Sequence, residues 1–182
     1  MQLAAEVERL RAELAAARAH VSELEARAER DPLLDLLNRR GFERELRRSL
    51  AYVRRYGAAA ALIYLDLDRF KPVNDRYGHA AGDRMLQAVA LSLQRSVRES
   101  DVVARLGGDE FGILLWNLDE SQAAAKAVQL EAVVAAAAVL HDGARLTVGA
   151  SAGCAMLSGS DSPEDIIARA DEAMYRRKRM RR

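Results

Sequence analysis

Arg105-Leu106-Gly107-Gly108-Asp109-Glu110-Phe111 sets two acids on two glycines between two apolar runs. Residues 102–106 and 111–116 read as short strands rich in β-branched and large apolar side chains, so the four residues between them reverse the chain as a tight hairpin. The glycines supply the positive φ such a turn needs. Asp109 and Glu110 therefore reach the rim of a sheet, where two adjacent carboxylates repel each other unless a cation or proton lies between them. A divalent metal is the usual solution, and the alternative for these four residues taken alone is a solvated hairpin tip.

The 182 residues, half of them hydrophobic, suffice for one full-sized core with a few dozen residues left over. With 28 basic and 27 acidic residues the net charge is +1, so no global field points to nucleic acid or a membrane surface. The single cysteine, Cys154, sits among small apolar residues and reads as a core thiol; a disulfide within the chain is excluded. Residues 123–140 are the most apolar long stretch, but they are mostly alanine with Lys126 and Glu131 included. That suits a packed helix, not a membrane span. With no signal peptide, the expected location is cytoplasmic.

Residues 3–28 carry apolar or small residues at Leu3, Val7, Leu10, Leu14, Ala17, Val21, Leu24 and Ala28, spaced alternately by four and three. This heptad seam predicts a coiled coil. With Val7, Leu14, Val21 and Ala28 at the a positions, a parallel homodimer pairs Glu6 with Arg11, Glu13 with Arg18 and His20 with Glu25 across its seam. Asp31-Pro32 ends that helix, because proline lacks the N–H and restricts the residue before it. The boundaries expected are a coil over 1–30 and a domain over 31–182.

Within the domain, Phe42, Leu46, Leu50 and Val53 line one face of a helix that stops at Gly57. Residues 59–65 read as a fully buried strand ending in Asp66-Leu67-Asp68, and carboxylates at the carboxyl end of a buried strand are where such folds place ligand chemistry. Helices are expected at 70–74 and from Asp83, with Tyr77-Gly78-His79 and Gly82-Asp83 as a polar link between them. A further helix is expected over 120–139 and a strand over 146–152. Ser162 and Pro163 open a last helix as N-cap and first-turn proline.

Together these residues resemble the GGDEF family, the diguanylate cyclases of bacterial signalling. The resemblance rests on Asp31-Pro32-Leu33 with Asn38-Arg39-Arg40, on Asp66-Leu67-Asp68-Arg69-Phe70-Lys71, and on Asn74-Asp75, Gly78-His79 and Gly82-Asp83. The hairpin itself and Ala170-Asp171-Glu172-Ala173-Met174-Tyr175 with Lys178 complete it. It implies an α+β fold, a ferredoxin-like, palm-type βααββαβ domain behind the coiled-coil helix. It also implies an enzyme that joins two GTP into cyclic di-GMP and two pyrophosphates, each facing domain holding one GTP.

The resemblance assigns roles residue by residue. Asp66, Asp109 and Glu110, with the Leu67 carbonyl, would hold Mg²⁺, with Mn²⁺ as the alternative ion. Glu110 or Asp109 would take the proton of the attacking 3′-hydroxyl. Asn74 and Asp83 would read the guanine edge, the carboxylate accepting from N1–H and N2–H. His79 would lie near the nucleotide, Lys71 and Lys178 would neutralise phosphates, and Phe70, Gly107, Gly108 and Arg182 would complete the substrate contacts. Arg98 and Asp101 resemble the family's inhibitory site, where product binds away from catalysis.

Two departures stand out. Leu34-Asp35 replaces the Thr-Gly usual in the family, and Arg179-Met180-Arg181 lacks the usual glycine after the last lysine. Neither touches a carboxylate or a guanine reader, so regulation is more exposed to them than chemistry. The reading expects a parallel coiled-coil homodimer fed by an upstream sensor domain, with GTP and cyclic di-GMP as its ligands. The competing reading is a non-catalytic module that binds GTP or cyclic di-GMP. The basic tail, residues 176–182, is explained by a nearby triphosphate and the helix C-terminus without nucleic acid.

Overall fold

The Asn38 side chain accepts from the Gly41 N–H and opens helix α1 (Arg39–Tyr56), which closes where Gly57 turns left-handed at φ 66°. The chain then runs through β1 (Ala60–Asp68), α2 (Phe70–Tyr77), α3 (His79–Arg95), β2 (Val102–Gly107) and β3 (Glu110–Trp116). It continues through α4 (Glu120–Ala136), the small hairpin β4 (Ala138–His141) and β5 (Ala144–Thr147), β6 (Gly149–Met156) and α5 (Pro163–Met180). The structure, a computed structural model, describes residues 6, 8–11, 13, 14, 20 and 28–180.

Four strands form the central sheet in the order β2-β3-β1-β6, every neighbouring pair antiparallel. This is the α+β, ferredoxin-like arrangement expected, with β4 and β5 as a separate two-stranded sheet. β1 is central because it is apolar on both faces. Ile63, Leu65 and Leu67 pack under α2, α3 and α4, while Ala60, Leu62 and Tyr64 pack under α1 and α5. Asp66 and Asp68 continue the second face, so period-two alternation carries them to the α5 side.

Several boundaries depart from expectation. β1 runs on through Asp66 and Asp68, because both pair with β6 and Asp66 also pairs with Glu110 of β3. The polar link between α2 and α3 shrinks to Gly78, at φ 81°; His79, Gly82 and Asp83 all lie inside the first turns of α3. The helix expected over 120–139 stops at Ala136, since Val139 and Leu140 pair with Leu146 and Arg145. The strand expected over 146–152 is divided, its first residues belonging to β5 and those from Gly149 onward to β6 beside β1. Cys154 is partly buried against the core, and burial pushes its thiol pKa up.

Of the heptad seam, Leu10 and Leu14 are helical and each 51% exposed. Arg9 pairs with Glu6 and Glu13 at 2.7 and 2.8 Å, and Arg11 with Glu8 at 2.9 Å, all within one helix. Leu3, Val7, Ala17, Val21 and Leu24, with Arg18 and Glu25 of the expected cross-seam pairs, lie outside the described residues. Among the described residues no helix is long and apolar enough to cross a membrane.

The contact that sets α5 on the sheet is a glycine. A Cβ on Gly153 would lie 2.0 Å from the Met174 nitrogen and 2.5 Å from the Ala170 carbonyl oxygen, both backbone atoms of α5. Substituting Gly153→Ala must therefore lift the helix. We expect a loss of about 3 kcal/mol or more in urea denaturation.

Candidate functional site

The glycine-rich tip is held by its turn geometry and by hydrogen bonds to its carbonyls. Gly107 pairs with Glu110 across the turn, leaving Gly108 and Asp109 as its two free residues, with Gly108 left-handed at φ 48°. The register shifts between Arg105 and Gly107, so Leu106 is the extra residue of a bulge that twists the tip. Three carbonyls around this tip are held, two of them by other elements and one by the hairpin's own Arg105. Arg39 Nε donates to Leu106 O at 2.9 Å, and Arg105 Nε and Nη2 donate to Gly108 O at 3.0 and 2.9 Å. The Leu67 N–H of β1 donates to Asp109 O at 3.1 Å.

Arg105 is itself braced by Asp31, its Nη1 donating to Oδ2 at 3.0 Å. Asp31 lies in the turn that leads into the domain, where its Oδ1 also accepts from the Leu33 and Leu34 N–H groups. In the same turn Asp35 is left-handed at φ 52° and takes Arg30 on both its carbonyl and its carboxylate, at 2.6 and 2.9 Å. Aspartate tolerates that conformation better than most residues, so Asp35 can stand where the family usually has glycine.

On the α5 side of the sheet the acids gather. Asp66 and Glu110 are directly opposite each other on β1 and β3. Lys178 reaches over from α5 to an ion pair with Asp66, its Nζ 3.8 Å from Asp68 Oδ1. The fully buried Ser151 donates its hydroxyl to the Asp68 carboxylate, 3.0 and 3.1 Å from the two oxygens. Burial pushes the Asp66 carboxyl above its ordinary range, the Lys178 ammonium pulls it back, and the charges of Asp109 and Asp68 raise it further. Arg39 Nη2 lies 3.5 Å from Glu110 Oε2. Burial, with the Glu110 carboxylate beside it, pushes the Tyr64 hydroxyl up to about 12, against the opposing pull of Arg39.

Among the described residues no three acidic, histidine or cysteine side chains converge as a ready metal cluster. The donor set nonetheless fits a hard divalent cation. Asp66, Asp109 and Glu110 offer carboxylate oxygens around one strand end, and a cation would offset both the burial and the Asp109 and Asp68 charges that raise Asp66. Lys178 now supplies the positive charge there.

On the opposite face lies a cavity of about 320 Å³, lined by Phe70, Lys71, Asn74, His79, Asp83, Leu86, Arg105, Gly108 and Asp109. Seven of the residues singled out from the sequence thus share one recess, and Asp109 at the hairpin tip joins it to the acid cluster. Gly107 is exposed on the same hairpin. Arg98 and Asp101 lie at its other end, before β2, about 17 Å of strand away. Asp101 accepts there from the Arg98 and Trp116 N–H groups at 2.9 and 3.1 Å, beside a separate cavity of about 280 Å³. Arg182 lies outside the described residues. Sequence reasoning gave no part to Arg39, Arg105, Tyr64 or Ser151, whose contacts are tertiary. The only signal was that Arg39 and Arg105 lie within recognised motifs, with no role attached to either.

The sequence matches the family described as "Diguanylate cyclase, GGDEF domain" over residues 28–182. It is 36% identical over 160 residues to the diguanylate cyclase DgcP of Pseudomonas aeruginosa, covering 88% of this chain and 24% of that one. It is 40% identical over 157 residues to the diguanylate cyclase TpbB of the same species, covering 85% and 36%. The chain therefore spans only a quarter to about a third of these relatives. Among solved structures, the coiled coil and GGDEF domain of DgcB from Caulobacter crescentus, in complex with c-di-GMP, superposes with a TM-score of 0.82. It is 28% identical, and the match covers 99% of this chain and 96% of that one.

The recess is closely packed at Gly82. A Cβ on Gly82 would lie 1.9 Å from Asn74 Oδ1 and 2.9 Å from its Cγ, a side-chain end that can move. Gly82→Ala is expected to turn the Asn74 amide out of the recess while the melting temperature falls little, as a crystal structure of the variant and thermal denaturation will check.

Proposed function

Because the chain belongs to the diguanylate cyclase GGDEF-domain family, we propose that it is itself a diguanylate cyclase, condensing two GTP into cyclic di-GMP and two pyrophosphates. The observation that carries this reading is the position of Asp109. It lies on the hairpin tip between a recess holding Asn74 and Asp83 and the strand end holding Asp66, Glu110 and Lys178. One nucleotide can span the two, its base in the recess and its phosphates over the acids.

In this reading Asp83 accepts from guanine N1–H and N2–H while Asn74 pairs with the remaining edge; adenine lacks that donor pair, so GTP is selected over ATP. Phe70 and His79 flank the nucleotide, with Gly107 and Gly108 at the phosphates, and Lys71, Lys178 and Arg182 balance the phosphate charge. Asp66, Asp109 and Glu110 with the Leu67 carbonyl are the residues that would hold Mg²⁺. When bound, that ion supplies charge neutralisation across the triphosphate. Glu110 or Asp109 accepts the proton as the 3′-oxygen of one GTP forms a bond to the α-phosphorus of the other and pyrophosphate leaves. The same step repeated in the opposite sense closes the ring.

Each domain holds a single GTP, so two copies must face each other. The coil over 1–30, as a parallel homodimer, brings two 31–182 domains close. Arg98 and Asp101 form the inhibitory site at which returning product holds the domains apart, a coupling between distinct sites. A sensor upstream of the coil and a cytoplasmic setting complete the proposal.

The test is incubation of the purified chain with GTP and Mg²⁺, with nucleotides separated by chromatography. Cyclic di-GMP is expected from the wild type, and at least about a hundredfold less from Asp109→Asn. Bound GTP with no product from either protein would replace this reading with that of a nucleotide-binding module.

A further inference from the structure

Arg177 precedes Lys178 on α5, and its guanidinium is not simply part of the basic tail. Nε and Nη2 donate to Oε1 and Oε2 of Glu131 at 2.6 and 2.8 Å, a two-pronged match. Glu131 belongs to α4 and is only 4% exposed, and its Oε1 also accepts from the Ala152 N–H of β6 at 2.9 Å. A carboxylate is buried to this extent only where charge and hydrogen bonds compensate it. The arrangement ties three elements, α4, β6 and α5, at one point.

That point is one residue from Lys178. Successive residues on a helix are about 100° apart, so anchoring Arg177 at the β6 edge turns Lys178 toward β1, where it meets Asp66. Gly153 fixes how closely α5 approaches the sheet, and the buried Ile166, Ala170 and Met174 set the face it presents there. The bidentate pair adds a fixed point beyond Met174 and so orients the turn that carries Lys178.

We propose that Glu131 and Arg177 are positioning residues of the nucleotide site, acting through Lys178 by setting the rotation of α5. The inference rests on the reading of Lys178 as a cation that meets the phosphates of GTP.

The experiment is a double-mutant cycle read by the Kd for GTP in the presence of Mg²⁺, on the full chain. Arg177→Ala and Glu131→Gln should each weaken binding by about tenfold in the wild-type background. In a Lys178→Ala background the same changes should cost less than about twofold, because the residue they act through is already gone. Arg177→Lys, which keeps the charge without the two-pronged geometry, should fall between, and it stands in if Arg177→Ala fails to fold. Equal losses in both backgrounds would mean a general structural role and overturn the proposal, as would no loss in either. Wild-type chain that binds no GTP would overturn the functional reading on which it rests, an outcome distinct from GTP binding without coupling.

Discussion

Holding a glycine-rich hairpin tip in one conformation is the constraint on which the rest of this structure depends. Two glycines in sequence are favourable for the turn and costly for order, since glycine loses the most conformational freedom on folding. The restraint comes from α1, from β1 and from the hairpin's own Arg105. Arg39 of α1 takes the Leu106 carbonyl, Arg105 takes that of Gly108, and β1 takes that of Asp109 through the Leu67 N–H. Each such bond contributes only about 1 kcal/mol, but together they leave the tip no alternative path. Arg105 is in turn fixed by Asp31, so the segment that enters the domain and the tip that carries Asp109 share one arginine.

Charge follows from that geometry. A rigid tip delivers Asp109 and Glu110 to a strand end already occupied by Asp66 and Asp68, four carboxylates that the sheet cannot move apart. Ser151 engages Asp68, Arg39 stands near Glu110, and Lys178 neutralises Asp66. Burial and like charge still hold the Asp66 carboxyl above its ordinary range. As a carboxyl whose folded pKa is raised, it opposes folding once ionised, and the cost fades as the pH falls through the folded value. Stability is thus traded for a cluster that attracts cations, the pattern expected of a functional site.

Much of this was legible in the sequence. The continuous apolar run of β1, the turn glycines and the order of elements gave the sheet, and the motif residues gave seven members of the recess. The parts that were not legible had weak local signals. Alanine-rich residues 120–139 look helical throughout, and only the pairing of Val139 with Leu146 ends the helix at Ala136. Gly82 and Asp83 resemble a loop, yet both lie inside a helix that begins at His79, and residue 82 is glycine because a Cβ there would meet the Asn74 side chain. The arginines that grip the tip act across 67 positions of sequence in the case of Arg39 and Leu106, a separation no local pattern encodes. Asp35 shows the reverse case, a departure from the family whose left-handed backbone explains why it is tolerated.

In the proposed function the acid cluster and the recess are one site, bridged by Asp109 and now balanced by Lys178. A crystal structure with a non-hydrolysable GTP analogue and Mn²⁺, the ion located by its anomalous signal, tests it most directly. The account predicts Mn²⁺ between Asp66 and Asp109, the base against Asn74 and Asp83, and the Lys178 ammonium moved from Asp66 to a phosphate oxygen. An analogue bound elsewhere, with Lys178 still on Asp66 and no ion between the acids, would contradict it.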